Sequence, residues 1–366
     1  MTLINSLSTA ARGAPSRLAF VTLAMAGSAW AAVPGTGNPN GNCAVPTAAR
    51  ADSIANPNHV IGNGTPSSCT SAAFVSAVAQ GGVITFNCGP DPVTITLQQT
   101  AKLFNDKPNV VIDGGGKVTL SGAGVRRILY MNTCDPAQHW TSERCDIQDY
   151  PHLTVQNITL TKGNSTGQSY GQSEVYGGGA IFVRGGRLKV VNARFFKSTC
   201  ESTGPDLGGG AVRAFVASPQ APIYITHSTF GGGQYYGNSC SNGGAVSGLG
   251  STFAIYNSLF SYNKAVGYGA NPPRSGTPGG GSGGAIYQDG NTIGLTSCGN
   301  KVQHHHANEG GGAFFFVSND RTGTMAITDS TLFDNPNDGF ETSGLPGIFI
   351  LAKAGQPVVT NSVIKP

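Results

Sequence analysis

Charge is scarce in this chain: Asp, Glu, Lys and Arg make up 11% of its 366 residues, 22 basic against 18 acidic. Disordered chains usually carry more charge and fewer β-branched residues, so the scarcity argues for a folded protein. The near balance of sign argues against nucleic acid as a partner. Long apolar runs are also missing. The run from Leu18 to Ala26 covers roughly half of the about 20 residues that a membrane span needs, so no transmembrane segment is expected in the mature chain. The eight cysteines contain no Cys-x-x-Cys pair, which leaves structural zinc without its usual grammar.

Glycine is abundant instead, at 54 residues, and it is ordered. Gly-Gly-Ala followed by an apolar residue is written five times: Gly178-Gly179-Ala180-Ile181, Gly209-Gly210-Ala211-Val212, Gly243-Gly244-Ala245-Val246, Gly283-Gly284-Ala285-Ile286 and Gly311-Gly312-Ala313-Phe314. The alanines lie 31, 34, 40 and 28 residues apart, a solenoid spacing with loops of varying length. Each copy continues into a second alternating strand (Leu188 to Val191, Ile223 to Thr226, Phe253 to Tyr256, Met325 to Thr328), then a small polar residue and a phenylalanine. Phe195, Phe230, Phe260 and Phe333 hold the matching place in four copies. Strands this short can bury their faces only by lying beside those of the next coil, about 4.8 Å away. The expectation is an all-β parallel β-helix over 83–366.

The preceding segments read differently. Arg12 and Arg17, the apolar run and Ala29-Trp30-Ala31 form a signal peptide over 1–31 with cleavage near Ala31, which implies a secreted, periplasmic or cell-surface protein. Residues 32–68, rich in Pro, Gly and Asn, read as an extended, loosely held lead-in. Residues 69–82 place Phe74 and Val78 at helical spacing before Gly81-Gly82, a helix suited to capping the first coil. In an oxidising compartment the spacing favours Cys69 with Cys88 and Cys134 with Cys145. Cys200 and Cys240 are placed to clip neighbouring coils, and at most two thiols are left free, Cys298 being one candidate. Asp113, before three glycines, reads as a turn residue bonding the backbone beyond it.

These repeats resemble the pectin-lyase-like superfamily, and specifically secreted bacterial right-handed parallel β-helix repeat proteins. Gly-Gly-Ala-Ile also recurs in polymorphic outer-membrane proteins beside Phe-x-x-Asn, which Phe260-Ser261-Tyr262-Asn263 fits. The resemblance covers roughly 83–364 and implies a single-stranded right-handed parallel β-helix with a groove outside the glycine-phrase sheet. It transfers no catalytic residues, because the polygalacturonase, pectin methylesterase and pectate lyase signatures are absent.

Period-two alternation then names the groove. If the residue after each Ala points inward, the second and fourth point outward: Phe182 and Arg184, Arg213 and Phe215, Ser247 and Leu249, Tyr287 and Asp289, Phe315 and Val317. Loops add Asp206, Arg274, His306 and Glu309, and the turn after the last strand adds Asp320 and Arg321. Aromatic rings with Arg suit a uronic-acid-rich extracellular polysaccharide. Substrate contacts are assigned to Arg184, Phe182, Phe215, Tyr287, Phe315, Arg274, Asp206 and Arg321. Lyase-type β-elimination is favoured, with Arg213 stabilising charge and His306 or Glu309 as base; hydrolysis would use Glu309 and Asp289. No cofactor is assigned with certainty; bound Ca²⁺ could hold the developing charge in place of Arg. A divalent site at His304, His306 and Glu309 lacks identifiable further ligands, so no metal is assigned. The chain is expected to be a monomer. The alternative is a non-enzymatic adhesin or envelope protein with a glycan-binding groove.

Overall fold

The computed structural model describes residues 33–168, 176–217 and 221–366, with Pro34–Pro366 one compact unit. The expected signal sequence lies outside the described residues. Three parallel sheets of eight, ten and nine strands dominate the unit. The chain visits them in turn: Ile181–Arg184, Arg187–Val191 and Arg194–Phe196 precede Val212–Phe215, which pairs in parallel with the first of these. This mostly-β arrangement is consistent with a β-helix solenoid.

The glycine phrase follows from two backbone demands. Its first glycine takes φ between +52° and +77° at Gly178, Gly209, Gly243, Gly283 and Gly311, a left-handed conformation costly for other residues. Its second has no room for a side chain: a Cβ on Gly284 would stand 2.8 Å from the His306 carbonyl oxygen. The alanine then fits where its N–H reaches the next coil, Ala180 to Ala211 O and Ala211 to Ala245 O at 2.9 Å each. Ile181, Val212, Val246, Ile286 and Phe314 follow in one sheet and face the interior cluster.

Polar ladders hold the corners. Between the nine-stranded sheet and the loops that lead to the glycine-phrase sheet, Ser198 N–H donates to Asn238 Oδ1 at 2.9 Å, Asn238 N–H to Asn263 Oδ1 at 2.9 Å and Asn263 N–H to His305 Nδ1 at 3.0 Å. At the corner between the other two sheets, Ser228, Ser258, Asn300 and Ser330 do the same. Each side chain satisfies a corner N–H that strand pairing leaves free. Phe195, Phe230 and Phe260 stack inside at 4.5 and 4.7 Å, but Phe333 is not the fourth member. Leu332 continues the interior column, and Phe333, one residue on, faces outward beside His304. A one-residue offset reverses the face of a strand residue.

Helix α1 (Ser71–Gln80) is capped by the Thr70 hydroxyl, which accepts from Ala73 N–H at 3.2 Å, and buries Phe74, Ala77 and Val78 in the interior cluster at the first coils. The lead-in is firmly held, contrary to expectation. It crosses successive coils as a strap, from Gly37 on Thr229 Oγ1 (2.9 Å) to Asn58 on Val83 O (2.8 Å). Two side-chain amides each grip its backbone from both sides. Asn257 bonds Cys43 N–H and O at 2.9 Å each, and Gln156 bonds Asp52 N–H at 2.8 Å and O at 3.0 Å. Cys43 forms a disulfide with Cys298, which is therefore not a free thiol. Cys69–Cys88, Cys134–Cys145 and Cys200–Cys240 are also paired, as suits an oxidising environment. No helix among the described residues is long and apolar enough to cross a membrane.

Candidate functional site

The outward side chains of the glycine-phrase sheet form two columns. Phe182, Arg213, Ser247, Tyr287 and Phe315 stand in register as one column, each at most 3% exposed. Beside them Arg184, Phe215, Leu249 and Asp289 are half-buried. The aromatic members belong to two small clusters separate from the interior. The first column points outward yet is roofed, so Phe182, Tyr287 and Phe315 present no open ring faces for stacking sugars. Over Arg213 and Tyr287 the roof is the loops that carry Asp206 and Asn271, while Arg127 covers Phe182, and Phe340 and Phe349 pack against Phe315. The Cys200–Cys240 disulfide joins the loops before the second and third phrases, and Asn242 Nδ2 pins the 204–207 turn through the carbonyls of Gly204, Pro205 and Leu207 at 2.8 to 3.2 Å.

Arg213 lies under this roof. Its guanidinium donates to Ser247 Oγ at 2.6 Å and to the Asp206 carbonyl at 2.5 Å, and burial pulls its pKa down to about 10. Beneath the roof it cannot grip a polysaccharide as expected. Arg184 is engaged as well, with Nε 2.6 Å from Asp146 Oδ1 and its guanidinium 4.8 Å from the Phe215 ring centre. Arg274 grips Glu309 bidentately, both contacts at 2.6 Å, and Gly269 N–H adds a third bond to that carboxylate at 2.8 Å. The Arg274 bonds hold the Glu309 carboxyl below its usual range despite burial. Glu309 is thus the anchor of the 264–281 loop and is ill suited to be a base. His304 faces Asp334, while His306 Nε2 lies 3.1 Å from Asp338 Oδ1. His304, His306 and Glu309, to which no metal is assigned, are each engaged with a different partner. His305 points inward into the polar ladder, 1% exposed. Arg321 and Asp320 stand exposed in their turn, where Ser318 and Thr322 hydroxyls hold the Asp320 carboxylate.

What the loops do bring together is a pair of carboxylates. Asn271, at the tip of the 264–281 loop, points its Nδ2 at Asp206 Oδ1 (2.9 Å), Tyr287 Oη (3.0 Å) and Asp289 Oδ2 (3.4 Å). The two carboxylate oxygens bonded to this one nitrogen lie no more than about 6 Å apart, which brings the pair onto the scale at which paired acids work in glycoside hydrolysis. Their environments differ. Asp206 is exposed, whereas Asp289 is half-buried and also receives Asn319 Nδ2 at 2.9 Å. Burial first, and then the Asp206 charge, raises the Asp289 pKa against that bond. Burial also raises the neighbouring Tyr287 phenol, which stays neutral and can donate to Asp289 at 3.3 Å. Sequence reasoning named Asp206, Tyr287 and Asp289 separately but missed Asn271, whose only signal is its place at the head of the Asn271-Pro272-Pro273 stretch. Comparison with family models, with curated proteins and with solved structures finds no match to this chain.

Proposed function

We propose that this chain is a secreted right-handed β-helix of the pectin-lyase-like kind that hydrolyses an extracellular polysaccharide, with Asp289 as general acid and Asp206 as its partner carboxylate. The observation that carries the reading is the carboxylate pair on the outer face, with Asp289 held toward its protonated form. Asp289 would give its proton to the leaving glycosidic oxygen while Asp206 attacks the anomeric carbon. Water would then release the glycosyl ester, returning a proton to Asp289. The short link through Asn271 leaves room for the about 5 to 5.5 Å spacing of a retaining pair, and the configuration of the released sugar decides between this route and inversion. Substrate entry requires the Asn271 tip to lift, because its amide now lies between the two acids. β-Elimination of a uronate, the chemistry expected above, loses support because Arg213 is roofed and Arg184 is engaged with Asp146.

One observation favours a second reading, a non-enzymatic surface protein: Asn271 closes the carboxylate pair and the aromatic column is covered. Incubating the mature protein with neutral and uronic polysaccharides, and reading reducing ends and unsaturated products separately, decides between them. Hydrolysis predicts reducing ends with retained configuration, lost in both Asp206→Asn and Asp289→Asn. Unsaturated product formed equally by these variants would return the lyase, and binding without turnover would support the surface protein.

A further inference from the structure

A cleft lies away from the carboxylate pair, on the outer face of the ten-stranded sheet, where the strap stands over it as a wall. The cleft there has a volume of 610 Å³, within the several-hundred Å³ range of small-ligand sites. Its floor includes Val111 and Thr154, its far side Arg187, Lys189 and Tyr224, and its wall Ala48 and Asp52.

The wall is built rather than incidental. The buried Gln156 amide holds the Asp52 backbone, and the buried Thr154 hydroxyl donates to Asp52 Oδ2 at 2.5 Å. The cations are already matched to carboxylates: Lys189 Nζ lies 2.7 Å from Asp52 Oδ1, and Arg187 Nε 2.6 Å from Asp149 Oδ1. His152 Nε2 shares Asp149 at 3.5 Å. An anionic ligand would have to displace these carboxylates, and a cationic one would have to displace Lys189 or Arg187. Ionised pairs of this kind still present lone pairs and N–H groups to neutral hydroxyls, as charge-assisted bonds. The half-buried Tyr224 ring supplies apolar surface for the face of a sugar ring.

We infer that this strap-walled cleft binds an uncharged, hydroxyl-rich ligand of oligosaccharide type. The inference does not depend on the hydrolase reading, since it uses another sheet and other residues. The test is calorimetric titration of the Asp206→Asn/Asp289→Asn protein, which separates binding from turnover. The probes are cellotetraose, maltotetraose, mannotetraose and xylotetraose, with tetragalacturonate as the charged comparison. Saturable binding of at least one neutral probe, weakened tenfold or more by Tyr224→Ala and by Asp52→Asn and tighter than tetragalacturonate, is the expected result. Tyr224→Leu, which keeps apolar bulk on the strand, replaces Tyr224→Ala should that variant fail to fold. Absence of saturable neutral binding, indifference to the cleft variants, or preference for tetragalacturonate overturns the inference.

Discussion

His305 makes acid stability a direct test of the polar ladder. Its ring occupies a rung that asparagine fills in neighbouring coils, accepting Asn263 N–H at Nδ1 while Asn335 Oδ1 takes its own backbone N–H at 3.2 Å. Since Nδ1 accepts, the neutral ring carries its proton on Nε2, which is buried beside the Phe260 backbone. Burial pulls the His305 pKa down from 6.5 to about 3. The unfolded chain therefore binds this proton first, and stability is whole above pH 6.5 and is lost as pH falls from there toward 3. The loss is about 1.4 kcal/mol per pH unit, so on the order of 2 to 3 kcal/mol disappears between pH 6.5 and 4.5. His305→Asn should remove that slope, because the amide keeps the rung and does not titrate. At neutral pH its net effect should be small, with the better-fitting amide rung opposed by lost ring packing. Urea unfolding midpoints of both proteins at pH 7.5, 6.5, 5.5 and 4.5 measure the difference, since every other histidine is common to the two. Parallel curves would refute the reasoning, because His305 would then be charging without penalty inside the fold.

Other consequences can be checked in the same protein. Gly284→Ala should cost about 2 kcal/mol or more, seen as a lower unfolding midpoint, because its Cβ meets the His306 carbonyl of the next coil. Removing the strap's clasp with Cys43→Ser/Cys298→Ser opens a link across 255 residues and should cost about 2 to 5 kcal/mol, with strap amides exchanging faster by hydrogen exchange. Glu309→Gln should leave the midpoint nearly unchanged but speed proteolytic cleavage within 264–281, since that loop depends on the Arg274 and Gly269 bonds; a protease pattern like that of the parent protein would count against the anchor.

The repeat, the glycine phrase and the inward residue after each alanine were legible in the sequence because they are local. A left-handed φ and a missing Cβ are demands on single positions, and period two assigns faces along one strand. The helix behind Thr70 was legible for the same reason, as were Cys69 with Cys88 and Cys134 with Cys145, whose partners are near in sequence. Phe333 shows the limit even of local reading, because one residue of offset moved it from the stack to the surface. Tertiary structure alone decided the rest. The strap runs back over the coils, so Cys43 meets Cys298 and Asp52 meets Lys189, partners with no shared periodicity. The loops fold over the outward face, burying Arg213, giving Glu309 to Arg274 and bringing Asp206, Asn271 and Asp289 together. Strand alternation sets which way a side chain points; what covers it depends on loops of irregular length, and their paths are set by contacts distant in sequence.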